Sequence, residues 1–309
     1  MAKRDFLDLS ALTEEGIMSL IDRAGYFKKN NLSADETALL TGKSIGLFFE
    51  KPSTRTRVAF ETAIVRFGGH PIFLSPNDSQ TGRGETIADT ARVLSAYLDA
   101  IVIRTFEQEK LQEWAKFASI PIINGLSNLC HPCQILADFL TIFEHRGMLA
   151  GLNLTYVGDG NNIAHSLMEG GAMVGMNVTI ASPREYEPHP NIVKQAVAIG
   201  EKTGSHIIVS NDPKKAAANA DILYTDTWVS MGYEGAGNIQ KTQFLPFQIN
   251  QNLVNLAKSD CIIMHCLPAH RGEEITDEVM DGKQSVIFEQ AANRLPTHQA
   301  ILEWALQKN

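Results

Sequence analysis

Short apolar runs alternate along this chain with segments of helical periodicity, and that alternation constrains the fold more than any other feature. Ile45–Phe49, Pro71–Leu74, Ala100–Ile103 and Ile120–Asn124 read as strands. Apolar residues at helical spacing fall between them, in Val58–Phe67, Thr86–Tyr97 and Gln108–Ala118, and an amphipathic helix over Thr13–Lys29 precedes them. A long apolar helix from His131 to Gly147 then leads into a second series: Leu152–Val157, Asn177–Ala181, His206–Ser210, Asp221–Thr225, Cys261–His265 and Val286–Phe288. Strands that are apolar throughout, separated by helices, belong in parallel sheets covered on both faces. The expected class is therefore α/β, with two doubly wound domains, each built on a central mostly parallel sheet, and a cleft between them. The expected domains are 1–147 and 148–290. The last helix, Ala291–Gln307, is compatible with either, and residues 291–309 can pack back on the first.

Composition narrows the class of function. A chain of 309 residues that is 44% hydrophobic can bury two cores, and a net charge of -8 argues against nucleic acid or an anionic membrane as partner. Clustered arginines then serve a small anion. Four cysteines, Cys130, Cys133, Cys261 and Cys266, are too few and too irregularly spaced for a disulfide framework. With no cleavable leader and no apolar run long enough to span a bilayer, the expected location is the cytoplasm.

The densest chemistry lies in Glu50-Lys51-Pro52-Ser53-Thr54-Arg55-Thr56-Arg57, where a strand becomes a helix. Pro52 holds the residue before it extended, so the helix should begin at about Ser53 with its unpaired N–H groups and positive dipole end exposed. An N-capped helix with solvated arginines is the plainer account. Two guanidiniums beside a helix start repel each other unless an anion lies between them, and Arg suits bidentate phosphate contact. Other unusual residues share this placement. Arg104 follows the third strand, His131 the fourth, Asn161 and Asn162 the first of the second series, Asp226 its fourth and Cys266 its fifth. Ligands of open α/β sheets bind at those C-terminal strand ends.

Several motifs invite readings that their details weaken. Val157-Gly158-Asp159-Gly160-Asn161-Asn162-Ile163 lacks the third glycine of a dinucleotide fingerprint, and the next strand is followed by Ser182 rather than an acid, so a nicotinamide cofactor is not expected. Cys130-His131-Pro132-Cys133 has no second ligand pair at zinc-finger spacing. No metal is expected. Asp226-Thr227-Trp228 is either a turn cap or a ligand site, and Cys266 is either a small buried residue or a reactive one. Leu267-Pro268 is a candidate cis bond. The polar stretches Ser75–Glu85 and Gly232–Gln240 read as mobile loops.

Ser53-Thr54-Arg55-Thr56-Arg57 also resembles the carbamoyl phosphate motif of the aspartate and ornithine carbamoyltransferases. Arg104, His131 to Gln134, Asp159 to Asn162, Asp226 to Gly232, Cys266 to Ala269 and Asn293-Arg294 follow in the family's order. Ser230-Met231-Gly232 and His265-Cys266-Leu267-Pro268 are similar to the ornithine branch, against aspartate, putrescine or acetylornithine as the amine. The resemblance implies that Ser53, Thr54, Arg55, Thr56, Arg57, Gln80, Arg104, His131, Gln134, Cys266, Leu267 and Arg294 bind carbamoyl phosphate, and that Asn162, Asp226, Ser230 and Met231 hold ornithine. It makes Arg55, Arg104, His131 and Cys266 catalytic, with no cofactor, in a reaction of arginine metabolism that yields citrulline. Arg83 departs from the family by standing where related enzymes often carry Lys. A homotrimer, or a multiple of one, is also implied, with Gln80 completing a neighbouring subunit's site. A noncatalytic sensor of phosphate and an amino acid is the alternative from another class.

Overall fold

The computed structural model describes residues 3–75, 84–228 and 241–307. The chain forms two compact units, Met1–Leu140 with Asn293–Asn309, and Thr141–Ala292. The first unit runs α1 (Glu14–Lys29), α2 (Ala34–Thr37), β1 (Ser44–Phe49), α3 (Thr54–Arg66), β2 (His70–Leu74), α4 (Ile87–Leu94), β3 (Ala100–Arg104), α5 (Gln108–Phe117), β4 (Ile122–Leu126) and the start of α6 (Pro132–Arg146). Its strands lie in the order β2-β1-β3-β4, all parallel, with Leu47 between Phe73 and Val102. Both central strands are buried almost end to end, which is why they read as unbroken apolar runs. Phe48, Ile101, Ile103, Leu111, Trp114 and Ile122 form one core, and the Phe48 and Trp114 rings meet at 5.4 Å.

Local sequence explains where these helices start. Thr13 caps α1 by accepting from Gly16 N–H, with Glu14 and Glu15 in the first turn and Lys28 and Lys29 in the last, each charge opposing the helix dipole. Ser53 and Thr86 cap α3 and α4 in the same way.

The second unit contains β5 (Asn153–Val157), α7 (Asn162–Met173), β6 (Asn177–Ala181), α8 (Pro190–Thr203), β7 (Ile207–Ser210), α9 (Pro213–Ala217), β8 (Ile222–Thr225), α10 (Lys241–Phe244), α11 (Gln251–Val254), β9 (Ile262–His265), α12 (Asp277–Met280) and α13 (Ile287–Ala292). The strand order β7-β6-β5-β8-β9, again all parallel, reverses direction between β5 and β8. That reversal leaves a crevice at the carboxyl ends of those two strands. Val157, Leu223, Ile249, Ile263, Ile275 and Ile287 belong to the core beneath it.

The final helix, α14 (Arg294–Leu306), returns to the first unit and packs on α1 and α3. Arg23 of α1 holds it, pairing with Glu303 at 2.7 Å and with Glu36 at 2.6 Å. Phe6 meets Trp304 edge-on at 5.9 Å.

Two expectations require correction. Val286–Phe288 is not a strand: Ser285 makes one bridge to Ile263, and Val286 C=O then accepts from Gln290 N–H as α13 begins. The run is too short to propagate a ladder, and helical spacing buries Ile287 and Gln290 while leaving Phe288 exposed. The terminal helix is also not continuous from Ala291, because Asn293 separates α13 from α14. Among the described residues, no helix is long and apolar enough to cross a membrane.

Candidate functional site

In the first unit the site begins at the end of β1. Ser53 is extended and its hydroxyl accepts from Thr56 N–H at 3.3 Å, so the helix starts where Pro52 ends the strand connection. Thr54 is exposed, Ser53 and Arg55 are half-buried, and Thr56 is buried. Among the described residues the Arg55 guanidinium has no hydrogen-bond or ionic partner, so a cation stands at the positive end of a helix without a carboxylate to neutralise it. Arg57 differs. Its Nε donates to Glu61 at 2.8 Å, and its guanidinium lies 3.6 Å from the Phe73 ring centroid.

Arg104 is the last residue of β3 and is buried, opposite Phe49, at a register shift in the β3–β4 ladder. Such a shift re-aims a side chain at the end of a strand. His131 stands just before Pro132 at the start of α6, also buried. Burial, then the Arg294 and Arg104 guanidiniums, hold its pKa well below the ordinary histidine value, so it is a neutral ring at neutral pH, able to donate one N–H. Gln134, in the first turn of α6, donates to Asp138 Oδ1 at 2.8 Å. Arg294 is 4% exposed and gathers the rest, donating to Gln134 Oε1 at 2.5 Å, Thr56 Oγ1 at 3.0 Å and His298 Nε2 at 3.2 Å. The predicted residues Thr56, Gln134 and Arg294 are thus hydrogen-bonded together, and Arg104 and His131 lie close enough to feel the same field.

In the second unit three strand ends converge. Asn161 caps α7 through Oδ1, which accepts from Ile163 N–H at 2.9 Å, and turns its amide N–H to Asp226 Oδ2 at 2.8 Å. Asp226, after β8, uses its other oxygen to accept from Thr227 N–H at 2.8 Å and the Cys266 thiol at 3.0 Å. Cys266 follows β9 and is half-buried, as is Asn162 in the first turn of α7. Burial, then the Asp226 charge, push the Asp159 carboxyl up to about 7, although part of its surface reaches solvent. Leu267 sits at φ 58, a left-handed conformation that costs an L-residue of order 1 kcal/mol or more, and the Leu267–Pro268 bond is cis. His265 holds this turn: Nδ1 accepts from Leu267 N–H at 2.8 Å while Nε2 faces Glu274 at 3.1 Å. Both of its ring nitrogens are therefore committed within the protein.

The glycine turn after β5 has a packing explanation, since a Cβ on Gly160 would lie 2.3 Å from Pro188 N. The cysteines flanking His131 are buried too. Asn124 donates to Cys130 Sγ at 3.3 Å, Cys133 Sγ donates to Asn124 C=O at 3.2 Å, and burial raises the Cys133 thiol to about 12. Both serve the turn that carries His131. Gln80 and Arg83, Ser230 and Met231, most of Ser75–Glu85 and all of Gly232–Gln240 lie outside the described residues.

Sequence reasoning missed several participants. Asp138 and His298 stand four residues after Gln134 and Arg294, a spacing that places each pair on one helix face and was available to be read. Lys51 is buried, donates to Asn128, and lies 4.2 Å from the Phe106 ring, with its amine lowered to about 8 by burial and then by Arg104. Nothing in a lone Lys-Pro pair signals that environment.

Residues 4–144 match the sequence model for the carbamoyl-P binding domain of aspartate/ornithine carbamoyltransferase, and residues 150–305 match that for its Asp/Orn binding domain. An ornithine carbamoyltransferase of Anoxybacillus flavithermus is 53% identical over 97% of this chain and 95% of its own length. One of Bacillus thuringiensis is 52% identical over 97% and 93%. The fold is similar to that of the ornithine carbamoyltransferase from Pyrococcus furiosus, with a TM-score of 0.94 and 47% identity over 99% of this chain and 97% of that one. A second solved structure, from Gloeobacter violaceus, gives 0.88 and 45% over 99% of both chains. Matched along both of its units, this chain belongs to the aspartate/ornithine carbamoyltransferase family.

Proposed function

We propose that this protein transfers the carbamoyl group of carbamoyl phosphate to the side-chain amine of L-ornithine, giving L-citrulline and phosphate, as a cytoplasmic enzyme of arginine metabolism. The observation that carries the reading is the cationic cluster around the α3 start in a chain whose relatives are named ornithine carbamoyltransferases. The Ser53–Thr56 turn, Arg55 and Arg104 take the phosphate, with Gln80 supplied by a neighbouring subunit. Thr56, His131 and Arg104 donate to the carbonyl oxygen, whose negative charge grows as the tetrahedral intermediate forms. A neutral His131 suits that role because it adds a donor without adding a further buried charge. Gln134 and Arg294, hydrogen-bonded to each other, complete the carbamoyl phosphate site. Arg57, already paired with Glu61, contributes field rather than direct contact.

Asn162, Asp226, Ser230 and Met231 hold the amino-acid end of ornithine, and Cys266 and Leu267 face the reacting carbon. An alkyl amine with a pKa of about 10.4 must lose its proton before it attacks, and desolvation favours that loss. Cys266 donates to Asp226, so it stands as a thiol whose sulfur lone pairs can orient the incoming amine. Departing phosphate takes the later proton. No step calls for a metal or organic cofactor.

Purified protein supplied with carbamoyl phosphate and a panel of amines tests the proposal. Citrulline should form from ornithine, with little product from putrescine, acetylornithine or aspartate; a preference for any of those amines would move the chain to another branch of the family, and no turnover at all would favour the sensor. A homotrimer, or a multiple of one, is part of the same proposal. Sedimentation equilibrium should return three times the 34.0 kDa chain mass, or a multiple of that. A monomer or dimer would remove Gln80 from a neighbour's site.

A further inference from the structure

Arg294 is a buried guanidinium whose three nitrogens each meet a different part of the first unit. NH1 reaches Gln134 at the start of α6, NH2 reaches Thr56 in the first turn of α3, and Nε reaches His298 one turn further along α14. A planar fork with fixed donor directions is oriented only when several of its edges are held. Gln134 and Thr56 belong to the proposed ligand site. His298 does not, and it is fully buried, stacked on the Phe60 ring with centroids 3.9 Å apart and planes within 14°. The stack sets the ring plane, and the ring plane sets where Nε2 points.

We infer that His298 is a positioning residue: held against Phe60 as a neutral imidazole, it accepts the Arg294 Nε–H and so orients the guanidinium toward Gln134 and Thr56. The inference rests on the reading of Arg294 as part of the carbamoyl phosphate site. An arginine Nε always carries hydrogen, so His298 Nε2 must present its lone pair and the ring proton must sit on Nδ1. A second proton would turn Nε2 into a donor facing a cation. Burial and the Arg294 charge both oppose that and hold His298 well below the ordinary histidine value. A purely structural histidine at this place would be interchangeable with any apolar side chain of similar size. A positioning acceptor is interchangeable only with another acceptor.

Leu and Gln separate these roles. His298→Leu keeps the volume and removes the acceptor, and is expected to weaken carbamoyl phosphate binding about tenfold by calorimetry, the scale of one lost charge-assisted hydrogen bond, with the melting temperature maintained. His298→Gln restores an acceptor oxygen and should recover most of that affinity. In an Arg294→Ala background, His298→Leu should add nothing. Wild-type affinity in His298→Leu, or equal losses in the Leu and Gln variants, overturns the inference. Should His298→Leu not fold, neutron diffraction from the wild-type protein reads the same point: a deuteron on Nδ1 and none on Nε2 is expected, and a deuteron on Nε2 contradicts it. That measurement needs no turnover, so a failure of the proposed function and a failure of this inference are told apart.

Discussion

Arg55→Ala is expected to weaken carbamoyl phosphate binding by about a hundredfold, the scale of losing one or two charge-assisted hydrogen bonds, while the melting temperature changes little. Arg55 stands in the first turn of a 13-residue helix, half-buried and with no ionic partner among the described residues, so removing it breaks no ion pair with a described residue and takes a full charge from the proposed anion site. Arg57→Ala is the matched control. That arginine is spent on Glu61 and the Phe73 face, so its loss should show mainly as a modest fall in stability, within about 1 kcal/mol for an exposed ion pair, with a smaller change in affinity. Within the Ser53–Arg57 motif itself the two guanidiniums look equivalent. Calorimetry on both variants separates them, and a larger loss of affinity in Arg57→Ala would reverse the assignment.

Asp226→Asn should lower kcat/KM for ornithine by about a thousandfold, because one buried carboxylate orders Asn161 and Cys266 and, in the proposed function, also meets the substrate ammonium. An asparagine matches the shape but supplies a single acceptor oxygen where Asn161 N–H, Thr227 N–H and the Cys266 thiol all donate. The loss should be specific to the ornithine half, with carbamoyl phosphate affinity largely retained. The same variant carries an independent signature. Asp159 has its carboxyl raised to about 7, with burial as the main cause and the Asp226 charge second. A carboxyl raised in the folded state contributes stability that is present below the unfolded value of about 4 and is lost as pH rises through the folded value. Wild-type stability should therefore fall across pH 4 to 7 on account of this group. Removing the Asp226 charge lowers the folded value and makes that fall shallower, without abolishing it, because burial remains. Unchanged ornithine kinetics would take Asp226 out of the substrate site, and an unchanged pH slope would remove it as a neighbour governing Asp159.

Much of the fold was legible because parallel strands buried on both faces read as unbroken apolar runs, and because Ser, Thr and Asn caps mark helix starts. The nine strands among the described residues, from Ser44–Phe49 to Ile262–His265, coincide closely with nine of the runs. The tenth, Val286–Phe288, failed because three apolar residues carry no period that distinguishes strand from helix. In the site, residues announced by type and position, such as Arg104 and Asp226, were legible one at a time. Their connections were less so. Arg294 joins Thr56 across 238 positions of sequence, and Cys266 joins Asp226 across 40, contacts that only the folded chain creates. The difference between Arg55 and Arg57 was half legible: Glu61 lies four residues after Arg57, a spacing open to reading, but Phe73 comes from the next strand.

Carbon NMR of one quenched reaction follows the carbamoyl group from donor to acceptor. Purified protein receives carbamoyl phosphate labelled with 13C at the carbonyl and L-ornithine labelled with 15N at the side-chain amine. The ureido carbon should be split by one directly bonded 15N, with citrulline and inorganic phosphate formed in equal amounts. A carbonyl signal without that coupling, whether in bicarbonate from hydrolysis or on the α-nitrogen of ornithine, would contradict transfer to the side-chain amine.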